Sequence, residues 1–86
     1  MGEEVSFEIV DIEDEVPGLK RDGVAVIRNG SCVAVLPEAD RLRRALSLPI
    51  EEIEYIFKNL QVVTGREPTQ DEQEFWKAIL EYKLTH

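Results

Sequence analysis

An α+β fold, with a three-stranded antiparallel sheet followed by three helices, is the architecture this sequence predicts, and three observations carry it. Val5-Ser6-Phe7-Glu8-Ile9 alternates apolar and polar side chains, as a half-buried strand does. Two further apolar runs, GVAVIR and SCVAVLP, are separated only by Asn29-Gly30. From Glu38 onward the apolar residues recur at helical spacing instead. Strands first and helices afterwards is the order expected of a sheet whose helices gather on one face.

The hairpin carries the strongest local signal. Asn and Gly both tolerate the positive φ that a type I′ turn requires at its two central positions. A two-residue turn would pair Arg28 with Ser31, Ile27 with Cys32, Val26 with Val33, Ala25 with Ala34 and Val24 with Val35. On that register Val24, Val26, Val33 and Val35 share one face, and Ala25, Ile27, Cys32, Ala34 and Leu36 share the other. Neither face is polar, which is the pattern of strands covered on both sides. Helices are expected on the valine face, and a second subunit on the small-residue face.

The first strand should turn Val5, Phe7 and Ile9 inward. Its alternation slips at Ile9-Val10, after which Val10 and Ile12 hold the apolar phase, and a bulge would produce such a slip. Residues 11–23, DIEDEVPGLKRDG, contain the turn-forming pairs Pro17-Gly18 and Asp22-Gly23, so an exposed connection is expected there. Asp11, Glu13, Asp14 and Glu15 within it lack the spacing of a calcium loop and read as a solvated acidic face.

Pro37 has the φ and the missing N–H that suit a first helical position, so a helix is expected over 38–46. Ala39, Leu42, Ala45 and Leu46 would face inward, and Arg41, Arg43 and Arg44 outward. A second helix over 50–60 would bury Ile50, Ile53, Ile56 or Phe57, and Leu60, with Glu51, Glu52 and Glu54 favourably placed near its N-terminal dipole. Residues 61–68 are expected to form a loop. Thr69-Gln70-Asp71-Glu72 then fits a capping box, starting a third helix over 70–84. That helix carries two apolar rows, Phe75-Ile79-Tyr82 and Trp76-Leu80-Leu84, with Lys77, Glu81 and Lys83 expected outside.

At 86 residues the chain is expected to form one small domain, 1–86, whose limited core would gain from subunit association. A homo-oligomer is therefore expected, a two-fold dimer being the commonest arrangement. The formal charge of −8 opposes a large electrostatic hold on phosphates, so nucleic acid is a disfavoured partner. No apolar run is long enough to suggest a membrane span. The single cysteine cannot form an internal disulfide, and a reducing cytoplasm is the expected compartment.

No catalytic constellation, metal-ligand set or cofactor-binding loop stands out, so the expectation is a protein that is not an enzyme and takes no cofactor. The one histidine is the terminal His86, and Cys32, flanked by valine and alanine, reads as a small buried hydrophobe. The expected function is a small acidic interaction module, a regulator or accessory subunit of a larger protein assembly. Trp76, Leu80 and Leu84 are its candidate partner-binding residues, because aromatic side chains anchor interfaces.

The alternative is a dimeric, DNA-associated transcriptional regulator using the cluster Arg41, Arg43 and Arg44. VAVLPEADRLRRALSL resembles, with different spacing, the core of swapped-hairpin transition-state regulators, which bind DNA as dimers. IEEIEYIFKNL with TGREPTQDE is similar both to a helical lead-in of formylglycinamide ribonucleotide amidotransferases and to a helical stretch of bacterial sigma factors. The amidotransferase resemblance transfers no site residue, because WKAILEYKLTH stands where that family's reactive stretch follows.

Overall fold

The computed structural model describes residues 4–13 and 17–85. Asp14, Glu15 and His86, named above, lie outside the described residues. Three strands, β1 (Val5–Glu13), β2 (Lys20–Arg28) and β3 (Ser31–Leu36), form an antiparallel sheet in the order β1-β2-β3. Among the described residues four helices follow: α1 (Asp40–Leu46), α2 (Ile50–Lys58), α3 (Leu60–Thr64) and α4 (Gln70–Thr85). The α+β architecture is as the sequence predicts, with one helix more.

The Asn29-Gly30 turn forms as expected, with φ of 52° and 83°. Asn29 also ties the turn to the start of β1: its N–H donates to the Glu4 carbonyl at 2.8 Å, and its Oδ1 accepts from the Glu4 amide at 3.0 Å. Arg28 pairs with Ser31 and Ile27 with Cys32, but Val26 then pairs with Ala34 and Val24 with Leu36. Val33 is the extra residue of a β-bulge. The expected pairs of Val26 with Val33, Ala25 with Ala34 and Val24 with Val35 are therefore wrong, and so are both face assignments. Because side chains alternate, one inserted residue exchanges the faces of everything beyond it. The helix-covered face carries Val24, Val26, Ala34 and Leu36, all at most 5% exposed. Val33 and Val35, expected beneath the helices, are 37% and 38% exposed.

In β1 no bulge occurs, contrary to expectation. Its ladder with β2 runs without interruption from Val5↔Arg28 to Glu13↔Lys20. The slip in its apolar pattern marks a change in which face carries the apolar side chains. Val5 and Phe7 pack into the core, Ile9 on the same face is left 56% exposed, and Val10 and Ile12 occupy the opposite face beside Gly23. The expected connection over 11–23 is likewise shorter, since Asp11–Glu13 and Lys20–Gly23 are paired strand residues. Asp11 and Glu13 are solvent-exposed.

Pro37 does not open α1. The Ala39 N–H donates to the Asp22 carbonyl at 3.1 Å, and Glu38 turns the chain through a φ of 84° before the helix begins at Asp40. Gln61–Thr64, expected in a loop, joins Leu60, expected as the end of the second helix, in the extra helix α3, offset from α2 by the non-helical backbone of Asn59 and ended by Gly65 at φ 73°. The glycine supplies the left-handed residue at which helices commonly stop.

α4 begins as the capping box requires: Thr69 Oγ1 accepts from the Glu72 amide at 3.1 Å, and Glu72 Oε1 accepts from the Thr69 amide at 3.1 Å. It then crosses the sheet, packing chiefly on β3 and α2. Phe75, Ala78 and Ile79 are fully buried with Val24, Val26 and Ile53. Phe7 meets the rings of Phe75 and Tyr82 edge-on, with centroids 6.3 and 5.7 Å apart. Glu81 and Lys83 do not lie outside. Glu81 binds Arg28, and Lys83 Nζ donates to the Leu46 carbonyl at 3.0 Å, a cation placed at the C-terminus of α1.

Candidate functional site: an arginine-rimmed groove over Trp76

The helices leave between them a groove of about 500 Å³. Its apolar lining comes from four elements: Ala45 on α1, Ile56 on α2, Leu60 and Val63 on α3, and Trp76 on α4, with Leu48 from the α1–α2 turn. Trp76 is half-buried and rests edge-on against Phe75, with ring centroids 5.4 Å apart and planes at 80°. The indole is thus held by the core on one side while contributing surface to the groove on the other.

Charge is concentrated at the rim. Arg41 and Arg44 rise from α1, three residues apart and so on neighbouring positions, and Arg66 enters from the α3–α4 connection. Two carboxylates stand among them. Glu38 lies 3.8 Å from Arg41 and 3.6 Å from Arg44, distances of ion pairing beyond hydrogen-bond reach. Glu72 is held far more firmly, by Arg66 at 2.7 and 3.2 Å through its two oxygens and by the amide and hydroxyl of Thr69.

That difference has an electrostatic consequence. The Glu72 carboxyl is held below its ordinary range, chiefly by the hydrogen bond from Arg66; burial pushes the other way, and the Thr69 bonds and the Arg66 charge add to the lowering. The Arg66 guanidinium is held above its ordinary value by the same partner. Both groups therefore stay charged at neutral pH, and Glu72 is occupied as a structural anion.

The residues singled out in the sequence are distributed unequally over this site. Trp76, Arg41 and Arg44 come together in the groove, although the sequence gives Trp76 and the arginines to separate readings. Leu80 is half-buried against the core and is not part of the lining, and Leu84 is 61% exposed. Arg43 turns instead to an adjoining polar hollow shared with Arg21, Asp22 and Asp40. Arg66, Glu72, Leu60 and Val63 are lining residues that sequence reasoning misses. The signal available for them is Val62-Val63-Thr64-Gly65, which ends as a helix does, followed by an arginine just ahead of the capping box.

Cys32, expected to be buried, is exposed: it pairs with Ile27 as expected and lies with it on the sheet face opposite the helices, outside the core cluster. Its thiol lies 3.6 Å from the Ala34 carbonyl. Among the described residues no group of three or more His, Cys, Asp or Glu side chains could hold a metal ion, and no helix is long and apolar enough to cross a membrane. No family model matches the chain, and no curated protein or solved structure is significantly similar to it.

Proposed function

We propose that this chain is a non-enzymatic protein-interaction module, a regulator or accessory subunit, whose docking site is the groove over Trp76. The observation that carries the reading is the half-buried indole set among Leu48, Ile56, Leu60 and Val63 and ringed by arginines. A fixed aromatic surface that is desolvated on docking, with guanidinium groups around it, is the composition of an interface hot spot. A groove framed by helices suits an amphipathic segment laid along it. The state of Glu72 argues against acid–base work there, since a carboxyl held ionised by a bidentate arginine is the reverse of one poised to donate a proton. The reading includes a cytoplasmic setting, in which the exposed thiol of Cys32 stays reduced.

The test is selection from an unbiased short-peptide library on the full chain, followed by mapping of the selected peptides through amide and indole chemical shifts. Shifts centred on Ala45, Leu48, Leu60, Val63 and the Trp76 indole are expected. Selected peptides that map elsewhere, or a library that yields none, would overturn the reading.

Self-association belongs to the same proposal, supported by the face of the sheet opposite the helices. Val10, Ile12, Ala25, Ile27 and Val35 are apolar there, and Val35 remains 38% exposed. Sedimentation is expected to give a dimer for the native chain and a monomer for Val35→Lys, which places a charge on that surface at the β3 edge. A native chain that stays monomeric removes this part of the proposal. The DNA-associated alternative has less support, because Arg43 lines a different hollow from Arg41, with Arg44 and Glu38 at the border of both, and Asp22, Glu38 and Asp40 stand beside Arg43.

A further inference from the structure

We propose that the groove over Trp76 recognises an acidic protein segment, one carrying carboxylates beside an apolar anchor, and that Glu38 is a built-in competitor occupying the place of the partner's carboxylate between Arg41 and Arg44. The inference rests on the docking reading above and specifies its ligand.

Charge distribution is the first support. The chain carries a formal charge of −8, yet the rim of this groove sets Arg41, Arg44 and Arg66 against Glu38 and Glu72. A local excess of positive charge on an acidic protein directs a small anionic group to that one place, while the remaining surface repels extended polyanions.

The two glutamates differ in how firmly they hold their arginines, and this is the second support. Glu72 takes Arg66 bidentately while capping α4, so that pair is part of the fold. Glu38 stands 3.8 and 3.6 Å from Arg41 and Arg44, its side chain 54% exposed, and makes a short bond to neither. Guanidinium forks bind carboxylates best in short, paired hydrogen bonds. An incoming carboxylate that completes this geometry displaces Glu38 at small cost.

Position joins the two halves of the site. Arg41 and Arg44 line the same groove as Trp76, so a segment with its apolar side chain on the indole brings its neighbouring residues to the arginines. Glu38 also holds a φ of 84°, a conformation that side-chain-bearing residues rarely adopt, at the point where the chain turns towards this rim. A phosphate backbone would use the arginines but leave the apolar lining empty.

The selected peptides described above decide the matter, read by the fluorescence of Trp76, the sole tryptophan of the chain. Enrichment of Asp and Glu beside an apolar anchor is expected, with affinity about tenfold lower when the carboxylates are replaced by amides and falling further as salt is added. Arg41→Gln with Arg44→Gln should abolish the preference for carboxylates, and Glu38→Gln should raise the affinity of the acidic peptides several-fold by removing their competitor. Peptides that map to the groove but are neutral or basic overturn the acidic specificity and leave the docking reading standing. Acidic peptides whose affinity Glu38→Gln leaves unchanged or lowers overturn the role of Glu38. A single-stranded oligonucleotide that displaces the peptides at equal concentration, and loses binding in the double variant, overturns the protein-segment assignment.

Discussion

The Arg28 guanidinium lies 2.6 Å from Glu81 Oε2, joining the end of β2 to the last turns of α4 across 53 residues of sequence. Arg28 occupies the helix-side face of the sheet, opposite Val5, and its side chain is only 12% exposed. Glu74, about two turns earlier on the same face of α4, stands 4.0 Å from the same guanidinium. The pair adds a polar tie to the apolar packing that holds α4 on the sheet.

The two ends of this pair should respond unequally to mutation. Glu81→Ala takes from a mostly buried cation its 2.6 Å ion pair, at a cost of up to about 3 kcal/mol, as when one partner of a buried pair is removed. Arg28→Met leaves Glu81, 33% exposed, free to hydrate while keeping much of the packing, so the loss should be smaller. Urea unfolding of both variants checks the order; equal losses would mean that the cation is not the costly member.

Acid should weaken the fold through Glu72. Its folded carboxyl is held below the ordinary value of 4.5, to which it returns in the unfolded chain. The resulting stability is fully present above the unfolded value and is lost as pH falls through the folded one. Arg66→Gln removes the main cause of the lowering and should flatten stability against pH on that acid limb. Unfolding midpoints measured across the limb for native and variant chains test this, and parallel curves would refute it.

Gly23 should admit no side chain. A Cβ built there would lie 2.7 Å from the Leu36 carbonyl oxygen and 2.7 Å from Ile12 Cγ1. Ile12 can shift, but the carbonyl belongs to the neighbouring strand. Gly23→Ala is expected to lower stability by about 1–3 kcal/mol, as overpacking does. An unchanged melting temperature would show that β3 can move away without loss.

Glu38→Gly should make the chain more stable. Left-handed backbone costs a side-chain-bearing residue about 1 kcal/mol, and glycine removes that cost. The ion pairs given up are long and exposed, worth about 0–1 kcal/mol. A rise in melting temperature is expected for Glu38→Gly and none for Glu38→Gln, which keeps the strain. A rise for both would trace the cost to the carboxylate's charge instead.

Local signals account for what was legible. Asn29-Gly30 determined the turn, Thr69 and Glu72 the start of α4, and the apolar spacing around Ile53, Phe75 and Ile79 the buried helix faces. Each depends on residues close in sequence, where backbone preference and one or two hydrogen bonds suffice. The bulge at Val33 was not legible. It exchanges Val33 and Val35 for Ala34 and Leu36 in the core, and either set is apolar, so the pattern alone could not choose. The choice was made where α4 packs on β3.

The sequence by itself determined an antiparallel sheet followed by helices, a turn, a capping box and an acidic chain with a few clustered arginines. Tertiary structure alone decided that Trp76 and Arg41 share a groove, that Arg43 does not, that Glu81 faces a buried arginine and that Cys32 is exposed. Such relationships join residues tens of positions apart. They follow from how the helices pack on the sheet, a balance of contacts summed over the whole core that no short stretch of the sequence contains.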